Sequence, residues 1–227
     1  MKFYFNLSPN PMKVALALAE MGLDYEAVPV DTRTGAQFAP DFLALNPNGK
    51  VPALVDGEAT IFDSNAILLY LAEKTGRFGP AAGPKAQADF LSWMMFVATG
   101  IGPFSGQAVH FKHFAPEKVP YAHTRYQYEA GRHYGILDAR LAASPYCAGE
   151  AYTVVDMAVW GWARMVPFIL GDEAWARFPN LKRLQDEISA RPAAAAVEAL
   201  RTAHGPAFKA EMDADARAVM FKHLKAA

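Results

Sequence analysis

The chain has 227 residues, 52% of them hydrophobic and 20% charged, with a formal net charge of −1. This is the composition of a folded protein with length for one large or two small cored domains, and it excludes a general electrostatic hold on nucleic acid or an anionic membrane. No apolar run reaches membrane-spanning length and the start MKFYFNLSPNP lacks a signal-peptide core, so a soluble cytoplasmic protein is expected; the single cysteine, Cys147, excludes an intrachain disulfide and a Cys-x-x-Cys pair.

Residues 2–6 read as a short strand, 7–11 as a loop, and 12–21 as a helix stopped by Gly22. Residues 25–30 read as a second strand. A strand, a helix and a strand within so short a stretch predict a βαβ unit with parallel pairing and a right-handed crossover. A polar loop over 31–39, with a turn at Thr34-Gly35, leads to a short helix over 40–45 that begins at proline.

Residues 46–67 are the densest stretch. A turn is followed by a strand opening at Pro52, a tight Asp56-Gly57 hairpin, a second strand, and a helix that opens at Asp63-Ser64. A cis Val51–Pro52 bond would turn the Val51 N–H and C=O outward toward anything alongside. Ser64 is expected as the helix N-cap, where its hydroxyl and the free N–H groups of the next turn suit a carboxylate. An ordinary hairpin and capped helix with no ligand is the plainer alternative.

Residues 76–84 carry the Gly and Pro content of a linker, and everything beyond is helical in pattern. A helix over 85–100 is expected to be interrupted or ended by Gly100-Ile101-Gly102-Pro103. Another covers 121–142, with Tyr128, Leu137 and Leu141 as core. Thr153 and Asp156 form a capping-box variant ahead of an apolar, buried helix to about residue 166. Helices over 181–190 and 192–202 precede a weakly amphipathic tail, 204–227.

Ser8 and Asn10 lie at the carboxyl end of the first strand, facing a helix N-terminus, where α/β units bind ligands. A hydroxyl or amide there can donate to a thiolate and hold it ionised; a plain Ser/Asn turn is the alternative. GxSxG, GxGxxG and GxxxxGK[ST] motifs are absent. Cys147, in an interhelical loop, reads as a small apolar residue. His110, His113, His123 and His133 cluster in sequence, but no acidic or cysteine ligand at matching spacing accompanies them, so no metal is expected. Phe104, Phe111 and Phe114 read either as the lining of a cleft or as packing between domains.

Taken together, Asn48-Gly49-Lys50-Val51-Pro52-Ala53-Leu54, then Phe62-Asp63-Ser64-Asn65-Ala66-Ile67, then Tyr152-Thr153-Val154-Val155-Asp156 resemble the cytosolic glutathione transferases. Ser8-Pro9-Asn10, Gly35-Ala36-Gln37-Phe38, Gly106-Gln107, His110-Phe111 and Arg132 are similar to the bacterial nu class, described as glutathione-dependent disulfide-bond reductases. The resemblance implies an α/β thioredoxin-like N-terminal domain over 1–76, a linker over 77–84 and an all-α C-terminal domain over 85–227. It further implies cis Pro52, pairing of the Val51 backbone with the cysteinyl part of glutathione, Asp63 and Ser64 on the γ-glutamyl end, and Lys50 and Gln37 near the glycyl or other polar groups. Ser8 and Asn10 are expected to face the sulfur and Arg132 to lie near bound glutathione. Glutathione would be a co-substrate, the partner a small-molecule disulfide or electrophile, and the assembly a homodimer.

Some residues depart from that pattern. The family usually has Thr at position 8 and Glu at 63. Pro11 replaces a small residue, Tyr4 does not match the activating tyrosine of other classes, and the first loop has no cysteine. Three functions follow from the resemblance: a glutathione-dependent disulfide reductase, a conventional transferase or peroxidase acting on apolar electrophiles held against Phe104, Phe111 and Phe114, and a non-enzymatic glutathione-binding regulator.

Overall fold

The computed structural model describes residues 1–221. Strands β1 (Lys2–Phe5), β2 (Glu26–Pro29), β3 (Ala53–Asp56) and β4 (Ala59–Phe62) form one sheet in the order β2-β1-β3-β4. β1 and β2 pair in parallel because helix α1 (Pro9–Met21) carries the chain back between them, whereas β3 pairs antiparallel with both β1 and β4. Side chains alternate across the sheet. Phe3, Phe5 and Leu54 join the cluster that holds Leu16 and Leu68, from α1 and α3 (Ser64–Thr75). Ala53 instead packs with Val30 and Phe42 from the side of α2 (Pro40–Leu45).

The predicted βαβ start is present, with shifted bounds. α1 begins at Pro9 rather than at residue 12, since prolines at 9 and 11 fall in a first turn that needs no N–H donors. Asn10 is therefore helical and not in a loop. Gly22 closes α1 in the left-handed conformation at φ 66°, its N–H reaching the Ala19 and Leu18 carbonyls.

The remaining elements are helices α4 (Pro84–Phe96), α5 (Gly102–Val109), α6 (Pro120–Ala143), α7 (Val154–Ala163), α8 (Val166–Leu170), α9 (Ala174–Arg177), α10 (Pro179–Ser189), α11 (Pro192–His204) and α12 (Ala214–Met220). The expected break at Gly100–Pro103 is instead a wide π turn over Val97–Ile101 that runs straight into α5. A π turn tolerates the missing Pro103 donor, and Gly100 is required because a Cβ there would lie 2.5 Å from the His133 ring.

Tyr128 is no core residue: it is 67% exposed, while Leu137 and Leu141 are buried as expected. α7 is buried along its whole length. Its predicted capping box is present, with Thr153 Oγ1 accepting from the Val155 N–H and Asp156 Oδ2 from the Thr153 N–H. The helix ends at Ala163 rather than near 166, since Pro167 occupies the first turn of a separate helix, α8. Within the predicted tail, α12 forms, and residues 222–227 lie outside the described residues. The architecture is an α/β thioredoxin-like unit packed on helices, and one apolar cluster runs from Phe3 and Leu68 to Met94, Val159 and Leu184.

Candidate active site at the sheet edge

Strand register decides which loops meet. Tyr4 pairs with Ala53 and Ala53 with Phe62, while Phe5 pairs with Pro29. The residues just beyond those pairs are Asn6 to Ser8, Val30 to Gln37, Lys50 to Pro52, and Asp63 to Asn65. All four segments leave the sheet at the same edge, although they come from positions as far apart as Asn6 and Asn65. Of the residues singled out from sequence, Ser8, Asn10, Gln37, Lys50, Val51, Pro52, Asp63 and Ser64 belong to these segments or, for Asn10, to the helix turn that follows the first.

Ser8 is exposed, but its hydroxyl donates to Asn6 Oδ1 at 2.6 Å, which also accepts the Ser8 N–H at 3.0 Å. Asn6 is in turn held by donating to Thr32 Oγ1 at 3.2 Å. The Ser8 oxygen remains free to accept a hydrogen bond, while its proton is engaged. Asn10 is held from the opposite side, where Trp162 on α7 donates its indole N–H to Asn10 Oδ1 at 3.0 Å. Indole nitrogen can only donate, so the amide oxygen faces Trp162 and the Asn10 NH2 group is turned away from it.

The Val51–Pro52 peptide is cis, as expected. Pro52 is buried and Val51 half-buried. The turn before it is fastened by buried Asn46, whose amide donates to the Lys50 carbonyl at 2.6 Å and whose Oδ1 accepts the Asn48 N–H at 3.0 Å. Gly49 sits at φ 61°, and a Cβ on it would come 3.3 Å from the Gln37 carbonyl, so this turn and the 31–39 loop are in close contact. Gln37 is 4% exposed; its Nε2 donates to the Thr32 carbonyl at 3.1 Å, and its Oε1 has no partner among the described residues. Lys50 is exposed.

The N-cap of α3 is Asp63, not Ser64 as predicted. Asp63 Oδ1 accepts the Asn65 N–H at 2.8 Å and the Ala66 N–H at 3.2 Å, and Asp63 takes a positive φ of 69°. A non-glycine residue in that region is uncommon and marks a functional constraint or a cap. Ser64 becomes the first helical residue and is buried to 4%. Arg132 lies on α6, outside these four segments. It is exposed on α6 and donates to Glu129 from Nε at 3.1 Å and Nη2 at 2.9 Å, which holds the Glu129 carboxyl below its usual range.

Ser8 opens onto a cleft of about 550 Å³ between the sheet edge and the helices. Trp162, Phe114, Met165 and Phe168 form its helical wall, and Phe208, Met212 and Met220 of the tail close it. The tail is tied down on both sides. Arg33 Nη1 donates to the Lys209 and Ala210 carbonyls at 2.6 and 2.7 Å, and the Lys209 N–H donates to Asp31 Oδ2 at 2.8 Å. Arg217 Nη1 reaches the Phe114 carbonyl at 2.9 Å. Of the three phenylalanines proposed as lining, Phe114 faces this cleft; Phe104 stacks on His133 at 4.8 Å and Phe111 on Tyr126 at 5.4 Å.

Two of the four histidines, His113 and His133, serve packing. His113 Nε2 lies 3.0 Å from the Phe168 carbonyl with its ring on the Phe168 ring, and His133 Nδ1 lies 2.7 Å from the Glu129 carbonyl. Cys147 is fully buried, and burial, reinforced by nearby Asp156, pushes its thiol well above the ordinary range.

Asn6, Trp162, Asn65 and Lys13 escaped the sequence reading. Trp162 looked like core because α7 is apolar throughout. Lys13 carried a signal, since it is the one charged residue inside the buried run from Pro11 to Leu18.

Residues 1–73 match the family model described as glutathione S-transferase, N-terminal domain, and residues 110–192 the one described as glutathione S-transferase, C-terminal domain. The chain is 42% identical over 204 residues to the disulfide-bond oxidoreductase YfcG of Escherichia coli, covering 84% of this chain and 90% of the relative. It is 35% identical over 217 residues to the disulfide-bond oxidoreductase YghU of the same organism, covering 88% and 74%. Among solved structures, a glutathione transferase family member from Pseudomonas fluorescens with two glutathione bound superposes with a TM-score of 0.81 at 35% identity, covering 87% of this chain and 92% of that one. A glutathione transferase YghU from Streptococcus pneumoniae complexed with glutathione gives 0.81 at 34% identity, covering 87% and 82%.

Proposed function

The chain belongs to the glutathione S-transferase family, and from that premise we propose that it is a glutathione-dependent disulfide-bond reductase whose reacting sulfur is supplied by glutathione. The observation that carries this reading is the state of the protein's own sulfur. Its one cysteine is fully buried and its thiol is pushed well above the ordinary range, while Ser8 lines an open cleft at the sheet edge and Asn10 follows two residues on, in the first turn of α1.

Glutathione lies along the edge, its cysteinyl part paired with the Val51 backbone next to Pro52. Its γ-glutamyl end meets Asp63, Ser64 and the positive end of the α3 dipole, and its glycyl end lies toward Lys50 and Gln37. The Asn10 NH2, turned away from Trp162, donates to the sulfur and favours the thiolate over the thiol. The serine proton is engaged by Asn6, so Asn10 is the stronger donor of the pair and Ser8 the weaker. Arg132 is assigned by the family resemblance alone.

The thiolate attacks one sulfur of a disulfide held in the cleft. A bond forms between the glutathione sulfur and that sulfur, the other leaves as a thiolate and takes a proton from water, and a mixed disulfide remains. A second glutathione thiolate then displaces the bound thiol and leaves oxidised glutathione, so two glutathiones are oxidised for one disulfide reduced. The relatives named as disulfide-bond oxidoreductases support this choice of reaction.

The apolar wall of the cleft favours a second reading, transfer of glutathione to an apolar electrophile bound against Phe114, Trp162 and Phe168. Cytoplasmic location, a homodimer, and the division into domains at residues 76 and 84 belong to the same proposal. Rates with hydroxyethyl disulfide and with a chlorinated aromatic, both with glutathione, decide between the two readings. Faster disulfide reduction supports the reductase; faster conjugation replaces it with the transferase; tight glutathione binding without turnover in either assay leaves a binding protein.

A further inference from the structure

Lys13 is 1% exposed, midway along the buried face of α1. A buried ammonium is costly, and a core of the same volume is made more cheaply from apolar atoms. The structure directs this one to a single place. Its Nζ donates to Asn65 Oδ1 at 2.7 Å, and the Asn65 N–H donates to Asp63 Oδ1 at 2.8 Å, so ammonium, amide and carboxylate form one chain through the first turn of α3. The stem is pinned from the opposite side. A Cβ on Gly161 of α7 would lie 2.9 Å from Lys13 Cβ and 2.8 Å from the Pro9 carbonyl, so α7 closes directly over the lysine.

Resting on the glutathione reading above, we propose that Lys13 is a positioning residue for the γ-glutamyl group: a buried cation behind the α3 N-terminus that balances Asp63 and, through Asn65, holds the turn that receives the ligand's carboxylate. It does not touch the ligand. Its charge adds to the partial positive charge at the start of α3, and Asn65 fixes the Asp63 carboxylate that would meet the ligand's ammonium.

Of the other charges on the elements packed against α1, Glu73 of α3 is exposed to solvent and Lys74 of α3 pairs with Asp56. Glu20 of α1 pairs with Arg191, Asp156 of α7 accepts from Thr153 and the Cys147 N–H, and Glu198 and Arg201 of α11 pair with each other. Asp63 is the charge that acts on it: burial lowers the Lys13 pKa to about 7 and Asp63 opposes that shift. Part of the population is therefore neutral near pH 7, and arrival of a carboxylate at the α3 N-terminus draws a proton onto Lys13.

The test is calorimetric titration of the full-length protein with S-methylglutathione, which has no thiol proton to release, at about pH 7.5 in two buffers of different ionisation enthalpy. Wild type is expected to take up roughly half a proton per site. Lys13→Met is expected to take up none and to bind about tenfold more weakly. In disulfide reduction its KM for glutathione should rise while kcat at saturation stays within about twofold, because the reacting sulfur lies elsewhere. Equal affinity in both proteins, or binding by wild type without proton uptake, overturns the role of Lys13 and leaves the glutathione reading intact. If wild type does not bind S-methylglutathione at all, both fall. Should Lys13→Met fail to fold, the wild-type proton uptake decides alone.

Discussion

Trp162 and Asn10, 152 positions apart, meet at 3.0 Å, the indole N–H donating to the amide oxygen. The contact joins the helical unit to the first turn of α1 and orients the amide proposed to face the sulfur. Trp162→Phe keeps most of the packing but frees that amide to rotate. The disulfide reductase kcat is expected to fall roughly tenfold, with KM for glutathione little changed, since an oriented donor acts on developing charge and not on ground-state binding. An unchanged kcat in steady-state assays would show that Asn10 needs no such orientation.

Asn10→Ala removes the donor itself and should cost more than Ser8→Ala. The serine proton is held by Asn6, so Ser8→Ala is expected to lower kcat by no more than about threefold, against tenfold or greater for Asn10→Ala. The reverse ranking would make Ser8 the main sulfur contact.

Lys13 links stability to pH. Its folded pKa is about 7 against 10.5 for the free side chain. Between those values the unfolded chain keeps a proton that the folded chain has released, so the lysine's unfavourable contribution is full below pH 7 and is relieved as pH rises toward 10.5. Lys13→Met has no such group. It is expected to be more stable than wild type by about 1–3 kcal/mol at pH 6, with the gap shrinking toward pH 10 in urea titrations. A gap that does not vary with pH would place the lysine's charge outside the stability balance.

The tail carries Phe208, Met212 and Met220 over the cleft and is fixed by Arg33 and Asp31. Arg33→Ala removes two hydrogen bonds to the Lys209 and Ala210 carbonyls. Loss of these bonds should loosen the wall, raising KM for a bulky apolar disulfide about threefold while leaving KM for glutathione unchanged. A parallel rise in both constants would mean that the tail supports the glutathione edge as well.

Asp156 is fully buried and accepts from the Thr153 N–H at 2.9 Å and the Cys147 N–H at 2.8 Å. Asp156→Ala strands both donors and opens the N-terminus of the most buried helix. A loss of about 3 kcal/mol is expected in chemical denaturation, with a smaller loss for Asp156→Asn, which keeps one acceptor.

Much of this was legible from sequence because it depends on neighbours along the chain. The apolar period of α1, the stop at Gly22, the Asp56-Gly57 hairpin, the proline opening α2 and the Thr153–Asp156 cap are local, and each appears in the structure. The cis peptide at Val51–Pro52 and the candidate edge from Lys50 to Ser64 were legible through family resemblance rather than through spacing.

Tertiary contacts decided the rest. Local rules allow either Asp63 or Ser64 to cap α3; in the folded chain Asp63 takes that place, at positive φ. Gly100 and Pro103 favour a helix end, but the helix keeps running through a π turn, where Gly100 lies directly against the His133 ring. Tyr128 has the apolar surface of a core residue and lies on the exposed side of α6. The partners Trp162–Asn10, Lys13–Asn65 and Arg33–Lys209 are distant in sequence, and no periodicity encodes them. Sequence alone determined which elements form and which family's edge they carry. Only the folded chain settled the hydrogen-bond partners around that edge, because a side chain's donors and acceptors are assigned by whatever packs against it, and that is known only once distant segments meet.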